Sequence, residues 1–217
     1  MTHTIPDDIK NYFTVEFISV LSNNLDEPNP GIAKAVSAII PTSLAAIVQK
    51  SEKDSTKMYA LTKDAALYYP RVPDVAKLQN NEVGSNLPHD IFGSNEHEVA
   101  RHIAAYSGLR PTSVSSLIML ILPVMMGKIG EGVQRDNLVL GENGIFLSGY
   151  EEDIQRLTPA GYIIPDLTHP VIPIKEDEVK IHEANINRDK TNFVFPKWVP
   201  ILIVAIVILL LIYFSRM

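Results

Sequence analysis

Two stretches of this chain are apolar on nearly every side, and each has a proline close to its middle. The first runs from Ile32 to Val48 around Pro41, the second from Val114 to Ile129 around Pro123. A helix apolar all round belongs at the centre of a bundle. A proline inside a helix costs about 3 kcal/mol, because it lacks the N–H and its ring meets the preceding turn. Pro41 and Pro123 are therefore the expected helix breaks: each stretch is either kinked there or divided, with the proline opening a fresh helix.

The surroundings repeat as well. Asn11–Leu25 spaces Tyr12, Phe13, Phe17, Val20, Leu21 and Leu25 as a helix, and the breakers 26–31 follow. Glu96–Tyr106 reads as a helix before the second stretch, with a break at 108–111 and Thr112 or Ser113 as its cap. Helix, break, apolar helix, proline and apolar helix thus occur twice. That order predicts a two-fold internal repeat, with Asn11–Val48 superposing on Glu96–Ile129. Gly127, Gly130 and Gly132 are expected to stop the second copy.

Elsewhere the pattern is sparser. Lys57–Tyr69 spaces Met58, Leu61, Ala65 and Tyr68 as a short helix, and prolines, Asn, Gly and Ser up to His97 imply irregular chain. Gly144–Leu157 reads as another helix. Ile163–Pro196 reads as a linker, stiffened by Pro165, Pro170 and Pro173 and charged over Lys175–Glu183.

The end of the chain is of another kind. No residue from Trp198 to Phe214 is charged, and Ile201–Ile212 is Ile, Leu and Val apart from Ala205. As a helix it would be about 26 Å long, at the short end of a bilayer span. Its aliphatic residues favour lipid by roughly 5 kcal/mol in sum. Lys197 and Trp198 at one end and Tyr213 and Arg216 at the other are the expected membrane anchors. The expected fold is therefore all-α: a multi-helix bundle at 1–162, a linker at 163–196, and one C-terminal transmembrane helix at 197–217. The first residues lack a basic and apolar leader, and Arg188, Lys190 and Lys197 precede the span while only Arg216 follows it. Both features predict a single-pass membrane protein with its N-terminal domain in the cytoplasm.

Charge and composition narrow the partners. Setting aside Lys197 and Arg216 leaves 17 of the 19 basic residues against 25 acidic ones, a net of −8. Such a surface repels phosphate backbones, so nucleic acid is not an expected partner. Without a cysteine there is no disulfide, thiolate metal site or cysteine nucleophile.

Several short runs, in order, carry a family likeness. They are Ala38-Ile39-Ile40-Pro41, Asp90-Ile91-Phe92-Gly93-Ser94, Ser107-Gly108-Leu109, Ser113-Val114-Ser115-Ser116-Leu117, Leu122-Pro123-Val124-Met125-Met126-Gly127, Asn137-Leu138 through Leu147, and Thr158-Pro159-Ala160-Gly161. Across roughly residues 10–162 the chain resembles the YidB-like bacterial domain of unknown function. The resemblance implies an all-helical domain, followed in Bacteroidetes-type relatives by a membrane helix and an OmpA-like peptidoglycan-binding domain. This chain departs from that longer form by stopping after the helix, and is bulkier and more charged between the two apolar stretches. The family brings no catalytic residue with it.

Residue patterns add no chemistry. His97 and His102 lie at i and i+5, about 140° apart on a helix, so they do not chelate one metal as an i, i+4 pair does. They read as a solvated helix face, and His89-Asp90 as a turn or cap. Gly127-Lys128-Ile129-Gly130-Glu131-Gly132 lacks the strand before it and the Lys-Ser/Thr ending of a phosphate loop. Asp7-Asp8 and Glu151-Glu152-Asp153 suit helix N-termini. Met119, Met125 and Met126 read as core. No catalytic, cofactor-binding or metal-binding residue is expected. The leading expectation is a non-enzymatic scaffold or interaction module held at the membrane, with the lipid bilayer and other membrane-complex proteins as partners and a homo-oligomer left open. The alternatives are a small-molecule or lipid-binding helical domain with an apolar cavity, and a cytoplasm-facing enzyme built on His89, His97 and His102.

Overall fold

The computed structural model describes residues 4–71, 74, 76, 86–139 and 142–167, and these are helical without a strand. In chain order they form α1 (Ile5–Tyr12), α2 (Val15–Leu25), α3 (Asn29–Lys53), α4 (Ser55–Tyr68), α5 (Leu87–Phe92), a 3-10 turn (Gly93–Asn95), α6 (Glu96–Ser107), α7 (Pro111–Arg135), α8 (Asn143–Ser148) and α9 (Glu151–Leu157). The expected span at 197–217, with Lys197, Trp198, Tyr213 and Arg216, lies outside the described residues, as does the linker beyond residue 167.

Capping chemistry explains where the first helices divide. The helix expected over Asn11–Leu25 is two helices. Thr14 breaks it, because its hydroxyl accepts from the Phe17 N–H at 3.3 Å and opens α2. Thr4 caps α1 in the same way through Asp7 N at 3.4 Å, and Asp54 caps α4 through Lys57 N at 2.9 Å. Neither Thr112 nor Ser113 caps α7; Pro111 occupies its first turn, where the missing N–H costs nothing. The single helix expected over Gly144–Leu157 is α8 and α9, divided at Gly149-Tyr150.

The two apolar stretches are α3 and α7, and they are the centre of the bundle. Among the described helices α3 packs on every other one, while α7 packs on α1, α3, α4, α5 and α6, most extensively on α4. Each is 25 residues long, and length and composition alone would let it cross a membrane, yet 78% of each apolar stretch is buried inside the fold. Both helices continue through their prolines, so of the two arrangements expected at Pro41 and Pro123 the divided one does not occur. Burial explains this. Ile39, Leu44 and Ile47 around Pro41, and Ile121 and Ile129 around Pro123, are fully buried, and each such side chain contributes about 1.5–3 kcal/mol. Two of them offset one proline.

Gly127, Gly130 and Gly132 do not stop α7, which runs on to Arg135. They allow close approach instead. A Cβ on Gly130 would lie 2.0 Å from the Thr62 carbonyl oxygen of α4, one on Gly127 2.1 Å from the Tyr69 ring, and one on Gly132 2.1 Å from Ile5 Cδ1.

α3 and α7 also share a register. Asn29 and Pro111, Pro41 and Pro123, and Lys53 and Arg135 are each 82 residues apart, so each proline is the thirteenth residue of its helix. The same interval relates Pro6, Asp8 and Ile9 of α1 to Pro88, Asp90 and Ile91 of α5. It relates the two left-handed residues that end α2 and α6, Asp26 (φ 52°) and Gly108 (φ 76°). It also relates Pro28 (φ −69°, ψ 136°) to Arg110 (φ −69°, ψ 139°), the residues before α3 and α7. Buried side chains follow suit, in the pairs Ile9 and Ile91, Phe17 and Val99, Leu21 and Ile103, and Ile39 and Ile121.

Candidate functional site

A groove of about 680 Å³ lies where α1 turns into α2 over the face of α3. Its floor is Phe13, Val36 and Ile40, its rim includes Ile18 and Val15, and the chain at Arg156–Pro159 closes one end. Val15 is 78% exposed, an uncommon place for a valine. The aromatic corner is fixed from below: Tyr12, Phe13 and Phe17 pack with ring centroids 5.2–5.9 Å apart, and Tyr12 donates to the Pro70 carbonyl at 2.8 Å. Burial pushes the Tyr12 phenol up to about 12, so it stays a donor at neutral pH.

Polar groups on the rim are mostly engaged. Arg156 holds Asp7 at 2.8 Å and Asp153 at 2.5 Å, joining α1 to α9. That guanidinium, with the Thr4 hydroxyl, holds the Asp7 carboxyl below its ordinary value. Glu16 is lowered by its own backbone N–H and by Thr14 at the start of α2. Lys10 is exposed, and among the described residues no ion pair to it is formed. Ser37 lines the groove, and Pro41, four residues on, has no N–H to give to the Ser37 carbonyl. The arrangement suits an apolar ligand with few polar groups, within the usual volume range of such sites.

A second feature follows α9. Residues 158–167 form a strap across α3 and α6. Tyr162, 6% exposed, meets the Thr42 hydroxyl of α3 at 2.8 Å and lies against Tyr106 and His102 of α6 at centroid distances of 4.9 and 5.5 Å. His102 Nε2 meets the Ile163 carbonyl at 2.8 Å, and Asn95 Nδ2 donates to the Leu167 carbonyl at 3.5 Å. Residues 163–167, expected as the start of the linker, therefore lie on the helical domain.

The expected site residues scatter. His97 and His89 are exposed, whereas His102 is half-buried under the strap, so only His97 fits the solvated face. Asp90 pairs with Lys57 at 2.6 Å. Among the described residues no group of three or more His, Asp or Glu is placed to hold a metal. Asp7-Asp8 and Glu151-Glu152-Asp153 do occupy first helical turns. Met125 and Met126 are core, while Met119 is 44% exposed. The groove had no sequence signal beyond the surplus of apolar residues around Thr14.

These features define an all-α domain built on two central proline-bearing helices, with an apolar groove at its first corner. Residues 7–131, more than half of the 217-residue chain, match the family described as "Bacterial protein of unknown function (DUF937)", and the chain belongs to that family. This is the YidB-like family that the sequence runs resemble. No curated protein and no solved structure matches the chain. The match starts in α1 and ends within α7, so α8, α9 and the strap lie beyond it.

Proposed function

We propose that the protein is a non-enzymatic interaction module held at the bacterial inner membrane by its C-terminal segment, with the helical domain on the cytoplasmic side. The observation that carries this reading is the burial of α3 and α7: both are occupied by the core of their own domain. The uncharged run Trp198–Phe214 is then the segment left for the bilayer, flanked by Lys197 and Arg216. Flotation on a density gradient tests it. The full-length protein should rise with liposomes, and a version ending at Lys190 should stay at the bottom. Protease added outside spheroplasts should spare residues 1–196. Equal flotation of both versions would point to α3 and α7 or the groove as the membrane contact.

A second reading is supported by the groove itself, whose size and apolar floor suit a small apolar molecule or a lipid chain. Narrowing it with Val36→Trp should then abolish uptake of a photoactivatable long-chain alcohol without changing flotation.

The common register of the two halves supports a third element of the reading, in which residues 5–53 and 87–135 are copies of one helical unit. Expressed as separate chains, 1–84 and 85–217 should purify together. If each half is recovered alone, the likeness is one of pattern only.

A further inference from the structure

We infer that the surface joining the two halves is exchangeable between copies of this chain, so that the second half of one molecule docks on the first half of another. The inference rests on the copied-unit reading above. Its ground is the reciprocity of the contacts at the junction. Glu27 Oε1 accepts from the Ser113 hydroxyl at 2.6 Å. The residues 82 positions away from this pair are Leu109 and Gly31, and they meet as well, since a Cβ on Gly31 would lie 2.4 Å from Leu109 Cδ2. Position 27 thus meets position 31 of the other unit, in both directions. That is the arrangement of a two-fold homodimer, in which one patch meets its own copy.

The junction is a built interface. Leu109 is 6% exposed and Gly31 is buried, so a side chain at Gly31 has no room unless Leu109 yields. Arg110 Nε donates to Glu27 Oε1 at 2.7 Å, and its Nη2 donates to the Leu25 carbonyl at 2.7 Å. None of these contacts identifies which molecule the second half comes from. Exchange conserves all of them.

Concentration decides between the two states. Residues 72–85 join the halves, and fourteen residues reach up to about 50 Å when extended, far enough for a neighbouring molecule. Joined in one chain, the second half has an effective concentration for its own partner on the order of millimolar. In dilute solution the closed monomer prevails. Chains crowded in a membrane approach that concentration, and exchange then links them. The partner is a second copy of this chain.

The absence of cysteine makes the test clean. One full-length chain carries G31C with L109A, which removes the clash with its own second half. The other carries L109C, and the two are co-expressed under different tags. Membranes are oxidised and run on a non-reducing gel. A single chain carrying both G31C and L109C reports the junction itself, and its melting by circular dichroism reports folding. Paired V15C chains, with an exposed cysteine, report random collision. The expected result is a mixed-tag disulfide dimer at least fivefold above the V15C background, falling more than tenfold when expression is lowered tenfold. A mixed-tag dimer no stronger than the V15C pair, with the double variant linked within its chain, would overturn exchange and leave the copied-unit reading standing. Failure of the folded double variant to link would overturn both.

Discussion

Gly130→Ala puts the packing of α4 on α7 to a direct test. On helix propensity alone the substitution stabilises, since alanine is favoured over glycine by about 1 kcal/mol in a helix interior. The structure predicts the opposite sign. The new methyl would lie 2.0 Å from the Thr62 oxygen, 2.8 Å from its carbonyl carbon and 2.9 Å from Ala66 Cβ. The obstacle is backbone, which has no rotamer to change. To reach about 3.4 Å, an ordinary contact distance, α4 must retreat by roughly 1.4 Å along its most extensive interface. Gaps of 0.5–1 Å already forfeit a quarter to a half of a dispersion contact, and overpacking of this kind costs about 1–3 kcal/mol, occasionally more. Set against the propensity gain, the net expectation is a loss of up to about 2 kcal/mol. Urea unfolding of the full-length protein, followed at 222 nm, should show a lower midpoint with an unchanged slope. Gly108→Ala is the contrast: nothing lies within 4 Å of its Cβ position, so only the left-handed φ of 76° is penalised, by about 1 kcal/mol. A G130A protein stabilised by the full propensity gain of about 1 kcal/mol would refute the backbone contact between α4 and α7.

Other expectations concern the strap and the charges. Tyr162→Phe removes one partly redundant hydrogen bond, because Thr42 still donates to the Ala38 carbonyl at 2.8 Å, and should cost about 1 kcal/mol in thermal melts. Tyr162→Ala also leaves a cavity and should cost about 3 kcal/mol. His102→Ala should lose about 1 kcal/mol with its bond to Ile163, whereas His97→Ala should stay within about 0.5 kcal/mol. Asp7 and Glu27 hold their protons less tightly folded than unfolded, Asp7 chiefly because of Arg156 and Glu27 because of Ser113 and then Arg110. Their stabilisation is complete at neutral pH and is lost as pH falls from the ordinary carboxylate values of 3.8 and 4.5 through the lower folded ones. Arg156→Ala should flatten the acid limb of a stability–pH profile, and an unchanged limb would remove Asp7 from the account.

The helical class and the centrality of the two apolar stretches were legible because nearly every face of 32–48 and 114–129 is apolar. What the prolines do was not, because local cost and tertiary burial pull in opposite directions and only the fold weighs them. The glycines of α7 misled for a related reason. A glycine that ends a helix and one that admits a neighbouring backbone look alike in sequence, and Thr62 is 68 residues from Gly130. The 82-residue register was present in Pro6-Asp7-Asp8-Ile9 and Pro88-His89-Asp90-Ile91, but short runs at either end of irregular chain carry little weight until the helices align. The groove and the role of His102 depend on where residues 156–163 return, which no periodicity records.

The strap has a mechanical consequence. It contacts the domain at Leu167, then Ile163, then Tyr162, in reverse chain order. A pull applied to the chain beyond residue 167 therefore loads these attachments one after another, as adhesive tape is peeled, and never all together as in shear. The longest bond, from Asn95 at 3.5 Å, bears the load first, and the Tyr162 hydroxyl and its stacked rings bear it last. A domain fastened this way yields a few residues of slack under a small force while its two central helices stay packed.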